Sequence, residues 1–129
     1  KNEKMILDMY EQSCEMFGVE VKQKPIVDFW ISDHKSLTFD QFKINIIKTP
    51  GHTPGGVCYE IEEHVFVGDT LFYGSVGRTD LPGGSPSQLK NSLLFLIKTV
   101  NHDKIIHPGH GDDTKLKYEL ISNPFLTSM

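Results

Sequence analysis

A chain of 129 residues with 38% hydrophobic and 23% charged residues has ordinary globular composition, enough for one small core and too little for two. Its formal net charge of −4, with 13 Lys and Arg scattered along it, lacks the broad positive field of a nucleic-acid or anionic-membrane surface. No apolar run approaches the roughly 20 residues of a membrane span and no signal-peptide pattern opens the chain, so neither partner is expected and a cytoplasmic setting is the default.

The first predicted element is a helix over residues 3–17, EKMILDMYEQSCEMF, which gathers Met5, Ile6, Met9, Cys14 and Phe17 near one face and is stopped by Gly18. From residue 37 the period becomes two: LTF, a tight turn at Asp40-Gln41 and FKINIIK predict a hairpin. GVCYEIEEHVFVGD continues it as two more strands pivoting at Glu62-Glu63. Phe42, Ile44, Ile46, Val57, Tyr59, Ile61, Val65 and Val67 are read together as one apolar face, to be covered by residues upstream of Lys1 or by a second chain. Residues 73–85, rich in Gly, Ser and Pro, read as a long ordered loop, and Ser85-Pro86 opens a helix through Leu89, Leu93, Leu96, Ile97 and Val100. KIIH, 104–107, predicts a short strand and 114–122 a short helix. Cys14 and Cys58 stand outside any Cys/His cluster and read as two buried free thiols.

The chemistry lies at strand ends. Gly51-His52, Gly68-Asp69 and Gly109-His110 each place one metal-competent side chain just after a strand, behind a glycine that lets the backbone turn. A histidine after a strand is by itself most often a surface residue, and Gly-Asp most often a turn. Three such positions on successive strand ends carry more than their sum. Imidazole nitrogen and carboxylate oxygen suit Zn, Fe or Mn, and the two oxygens of an Asp allow it to bridge two ions.

The flanking words TPGHTPGG, GDTLF, GRTD, PGHG and NPFL resemble those of the metallo-β-lactamase superfamily, and within it the glyoxalase II-like hydrolases. The resemblance implies an α/β fold, the αβ/βα sandwich, of which this chain holds mainly the C-terminal half as one partial domain over 1–129. It implies that His52, Asp69 and His110 are metal ligands, with Asp69 bridging two zinc ions; iron or manganese would suit the same donors. The family's His-x-His-x-Asp-His motif does not occur here, so residues upstream of Lys1 are expected to supply the other ligands, and this chain alone is expected to be inactive. His34, His64 and His102 are read as loop residues, and His107, pointing away from His110, as a packed side chain in preference to one supporting a metal ligand from behind.

Two cations about 3.5 to 4 Å apart would hold a water, lower its pKa and polarise the carbonyl it attacks, so the expected reaction is hydrolysis of a small-molecule thioester such as S-lactoylglutathione. Arg78 is read either as meeting an anionic substrate group or as an ion pair with Asp80. Tyr73 and Phe72 are read as lining the pocket mouth or packing under the loop. A persulfide dioxygenase-like enzyme with one Fe(II), and a non-catalytic interaction module with a degenerate half-site, are the competing functions.

Overall fold

The structure, a computed structural model, describes residues 3–31 and 34–129; the side chain of Ile6, one of the residues expected on the first helical face, lies outside the described part. Two compact units divide the chain, one up to Asp33 and one from His34 to Met129.

In the first unit the expected single helix is two, α1 (Lys4–Asp8) and α2 (Tyr10–Met16), interrupted at Met9. The stop is as expected: Gly18 takes φ 65°, its N–H donates to the Glu15 carbonyl at 3.1 Å, and the Val19 N–H reaches back to Cys14 at 2.8 Å. That pair of bonds satisfies carbonyls the helix end leaves open, and a residue with a Cβ would be strained in the left-handed conformation it needs. The expected apolar face is not a buried one. Of its described members only Cys14 is buried, whereas Met5, Met9 and Phe17 are exposed.

In the second unit, tight reversals lay down the sheet. Asp40 enters the left-handed region at φ 54°, which a short polar side chain tolerates, and the two-residue turn pairs β1 (Ser36–Phe39) with β2 (Phe42–Lys48), Phe39 opposite Phe42. Glu62-Glu63 repeats the device between β3 (Val57–Ile61) and β4 (His64–Gly68), Ile61 opposite His64. The chain then leaves the sheet through a small hairpin, β5 (Leu71–Phe72) with β6 (Ser75–Val76), and through helix α3 (Pro86–Thr99). It returns as β7 (Ile105–Pro108), parallel to β4, and closes with β8 (Thr114–Lys115), α4 (Leu116–Ser122) and α5 (Pro124–Thr127). The large sheet has the order β1-β2-β3-β4-β7-β8. The loop expected over 73–85 thus begins with half a hairpin, the strand read at 104–107 falls one residue later, and the helix read from 114 starts at 116.

Register decides which face is core. Ile47 pairs with Cys58 and Val65 with Ile106, placing these with Val67 on one face. There Leu89, Leu93, Leu96 and Val100 from α3, together with Leu71, Leu116 and Leu126, complete the core. Each such burial is worth about 1.5–3 kcal/mol, and Ser85 caps α3 by accepting from the Gln88 N–H. Ile46 pairs with Tyr59, and Tyr59 with Phe66, on the opposite face. Val65 and Val67 therefore do not share a face with Tyr59 and Ile61 as expected. The run HVFVG is symmetric enough to be read either way, and only the pairing with β3 and β7 assigns it.

Candidate metal centre

Strands β4 and β7 run parallel and end together, and the Gly109 N–H donates to the Gly68 carbonyl at 2.8 Å. That bond puts the residues after the two strands, Asp69 and His110, side by side: His110 Nδ1 lies 3.0 Å from Asp69 Oδ1. A register shift between Phe66 and Gly68 ends the ladder just before Asp69, the place where bulges commonly re-aim a side chain. His52 comes from the turn after β2. There α3 holds the backbone from its cap and its middle, the Ser85 N–H donating to the Gly51 carbonyl at 2.7 Å and the Ser92 hydroxyl to the Pro50 carbonyl at 2.7 Å. His52 Nε2 faces Asp69 Oδ2 at 3.5 Å.

Asp69 is thus the hub, one oxygen toward each imidazole. The second nitrogen of His52, Nδ1, lies 2.8 Å from the Arg78 carbonyl. A carbonyl only accepts, so the proton of a neutral ring sits on Nδ1, leaving the Nε2 lone pair turned to the carboxylate. Two acceptors facing each other at this distance suit a cation between them. Donor types and the carbonyl support behind His52 therefore fit a divalent metal. As they stand, no three His, Cys, Asp or Glu among the described residues are grouped closely enough to hold one. The His110 ring is 79% exposed, against 24% for His52 and 30% for Asp69, which makes it the least fixed of the three.

Two glycines make the close approach possible. A Cβ on Gly77 would stand 1.8 Å from the Asp69 carbonyl oxygen and 3.2 Å from His52 Cβ, and one on Gly109 2.4 Å from Asp69 Oδ1. Below the site, buried Glu119 accepts from Thr114 Oγ1 at 2.6 Å, the Gly74 N–H at 2.9 Å and Asn123 Nδ2 at 2.8 Å. Asn123 Nδ2 also donates to the Ser75 carbonyl. This network fastens the β5–β6 hairpin to α4, and the hairpin holds Phe72 edge-on to the His110 ring at 6.0 Å. Nothing in the sequence reading singled out Glu119; the signal available was an acidic residue four before the Asn of NPFL on a helix otherwise facing a core.

Arg78 makes a bidentate pair with Asp80, both bonds 2.7 Å, which holds the Asp80 carboxyl down at about 2 and raises the guanidinium's pKa. Tyr73 is half exposed, stacked on Tyr118 with their hydroxyls 2.8 Å apart, at the edge of a groove of about 430 Å³ that Ile105, Lys115 and Lys117 also line. His64 is a correction: it opens β4 and bonds His107 across the ladder, Nδ1 to Nε2 at 2.9 Å, rather than lying in a loop. His107 stacks on Phe66 and His64, and its Nδ1 lies 3.0 Å from Asp113. His102 lies in the turn after α3 with Nε2 bonded to the Ile97 carbonyl, and His34 in irregular chain. Both cysteines are free and buried as expected.

Residues 3–111 match the family model of the metallo-beta-lactamase superfamily. The chain belongs to that superfamily. The hydroxyacylglutathione hydrolase GloC of Haemophilus influenzae is 36% identical over 131 aligned positions, covering 99% of this chain and 62% of that protein. Among solved structures, the BLEG-1 B3 metallo-beta-lactamase superposes with a TM-score of 0.86 at 36% identity, and TTHA1623 in a di-iron-bound form with 0.83 at 33%. Each alignment covers 97% of this chain and 62% of the other. The chain thus spans under two thirds of the length of these metallo-beta-lactamase relatives. The mixed α/β fold expected from the motif words is the one observed. Among the described residues no helix is long and apolar enough to cross a membrane.

Proposed function

We propose that His52, Asp69 and His110 are ligands of a metal-dependent hydrolase site, with Asp69 shared between ions, and that the substrate is an acyl-glutathione thioester of the S-lactoylglutathione kind. The observation that carries the metal assignment is the facing of His52 Nε2 and Asp69 Oδ2 at 3.5 Å while the Arg78 carbonyl holds the proton on the far side of the ring. Membership of a superfamily of metallo-hydrolases supports hydrolysis, and the name of the Haemophilus influenzae relative supports the acyl-glutathione class. Zinc is the proposed metal, and the di-iron form of TTHA1623 supports iron in the same donors.

A bound divalent ion supplies Lewis acidity for the acyl carbonyl and acidifies water. This chain's residues orient it. Asp69 brings the two imidazoles into one locality, the Arg78 carbonyl fixes the His52 tautomer, and Phe72 walls one side of His110. The Arg78 guanidinium is proposed to exchange Asp80 for an anionic end of the substrate, and Tyr73 to border the same approach. One catalytic zinc wants three protein ligands plus an open position, and a pair of ions wants more than these three. The remaining ligands are therefore proposed to come from outside these 129 residues, and the chain by itself to be inactive. A cytoplasmic setting is part of the proposal, in keeping with two buried free thiols.

Spectrophotometric loss of S-lactoylglutathione, run with this chain and with the protein carrying the complete ligand set, is the test. Turnover by the second, abolished in Asp69→Ala, is expected, and none above background from the first. Equal rates would show that the site lies elsewhere.

A further inference from the structure

Beneath the turns bearing His52 and Asp69 lies a polar circuit that an apolar core has no need of. Thr49 is fully buried and Thr70 nearly so. The Thr70 hydroxyl donates to Thr49 Oγ1 at 3.2 Å, and Thr49 Oγ1 lies 3.4 Å from Cys58 Sγ. Thr49 stands three residues before His52 and Thr70 one after Asp69, so their bond joins the two turns beneath the His52–Asp69 approach. Thr70 is bound to the third segment as well: the Gly77 N–H donates to its carbonyl at 3.3 Å, and the next residue, Arg78, offers the carbonyl that holds His52 Nδ1. The connections close a loop running Thr70 to Thr49, along the chain to His52, across to Arg78 and Gly77, and back to Thr70. Valine would fill the same volume at both positions, but it would cut this loop.

We propose that Thr49 and Thr70 are positioning residues: their hydrogen bond latches the His52 turn to the Asp69 turn and so sets the separation of imidazole and carboxylate on which metal binding depends. The inference rests on the metal assignment above and adds to it two residues that touch no ion. Buried hydroxyls bonded to each other and to a thiol lock one relative placement of two turns, because slippage would leave a donor unpaired in the core.

The test uses Thr49→Val, Thr70→Val, the double Val variant, and Thr49→Ser and Thr70→Ser, each titrated calorimetrically with zinc(II) and each melted in the presence of a chelator. Each Val variant should bind zinc roughly 10-fold more weakly, as loss of a supporting contact typically does. The double variant should be no worse than Thr49→Val, since all three break the Thr49–Thr70 bond and Thr49→Val already loses the Cys58 contact as well, and the Ser variants should stay within about twofold of wild type. Val variants that bind like wild type while their melts shift would overturn the latch, leaving the threonines as packing alone. A second readout needs no metal: the His52 Nδ1–H resonance should be retained in wild type and the Ser variants, and exchange-broadened in the Val variants. Wild type that binds no zinc would refute the metal assignment, and the latch would then stand or fall by that resonance.

Discussion

Around β4, β7 and the turn after β2 lie two His, His, Asp sets, and the two have opposite characters. His64, His107 and Asp113 form a chain on or beside the strands, in which both nitrogens of His107 are spoken for, one by His64 and one by Asp113, and the rings are stacked. His52, Asp69 and His110 lie past the strand ends, in turns, where the far nitrogen of His52 is held by a backbone carbonyl and the near one faces an acceptor. Residue type is the same in both. Availability differs: the strand set's side chains satisfy one another, whereas in the turn set the backbone holds the far side of His52 and leaves its Nε2 facing Asp69. A tally of histidines and carboxylates would rank the two sets alike, and their hydrogen bonds rank them apart.

The largest effect should come from removing the room that the turn set needs. Gly77→Ala forces a Cβ into the Asp69 carbonyl, so chemical denaturation should report a loss on the order of 3 kcal/mol, with zinc binding abolished. Next, the two aspartates should separate the sets. Asp69→Ala should weaken zinc binding by roughly 100-fold, more than His52→Ala or His110→Ala, because it neighbours both imidazoles. Asp113→Ala should leave the affinity within about twofold, as calorimetric titration would show.

A smaller effect concerns the floor beneath the turn set. Burial pushes the Cys58 thiol up from 9.0 to about 11. Between these values the unfolded chain has lost the proton and the folded one keeps it, so stability is full below about pH 9. It should then fall by about 1.4 kcal/mol per pH unit as pH rises toward 11. Denaturation midpoints from pH 8 to 10.5 check it, and Cys58→Ala should flatten that part of the slope. The least effect belongs to the strand set. His107→Phe keeps the stacking on Phe66 and loses two hydrogen bonds, so a change of about 1 kcal/mol is expected in the same denaturation, with zinc affinity unmoved.

How far these differences were legible in the sequence depends on what each rests on. Alternation and the turn pairs Asp40-Gln41 and Glu62-Glu63 are local, and they placed four strands and both reversals. The positions of His52, Asp69 and His110 were legible because each strand end is marked by a glycine and by a recognisable word. His64 was misread because a histidine at a strand's first residue has no local mark, and its partner is 43 residues away. The assignment of Val65 and Val67 failed for the same reason, since a strand that is apolar on both sides takes its face from its neighbours. Glu119 and the Thr49–Thr70 bond were invisible because buried polar networks are defined by what converges from distant segments.

The central claim is that the turn set, and not the strand set, is the metal site. Calorimetric titration of the chain with zinc(II), alongside Asp69→Ala and Asp113→Ala, tests it most directly. One ion per chain, held roughly 100-fold more weakly in Asp69→Ala and as tightly as in wild type in Asp113→Ala, is the predicted result; no ion at all, or one held as tightly in Asp69→Ala, would contradict it.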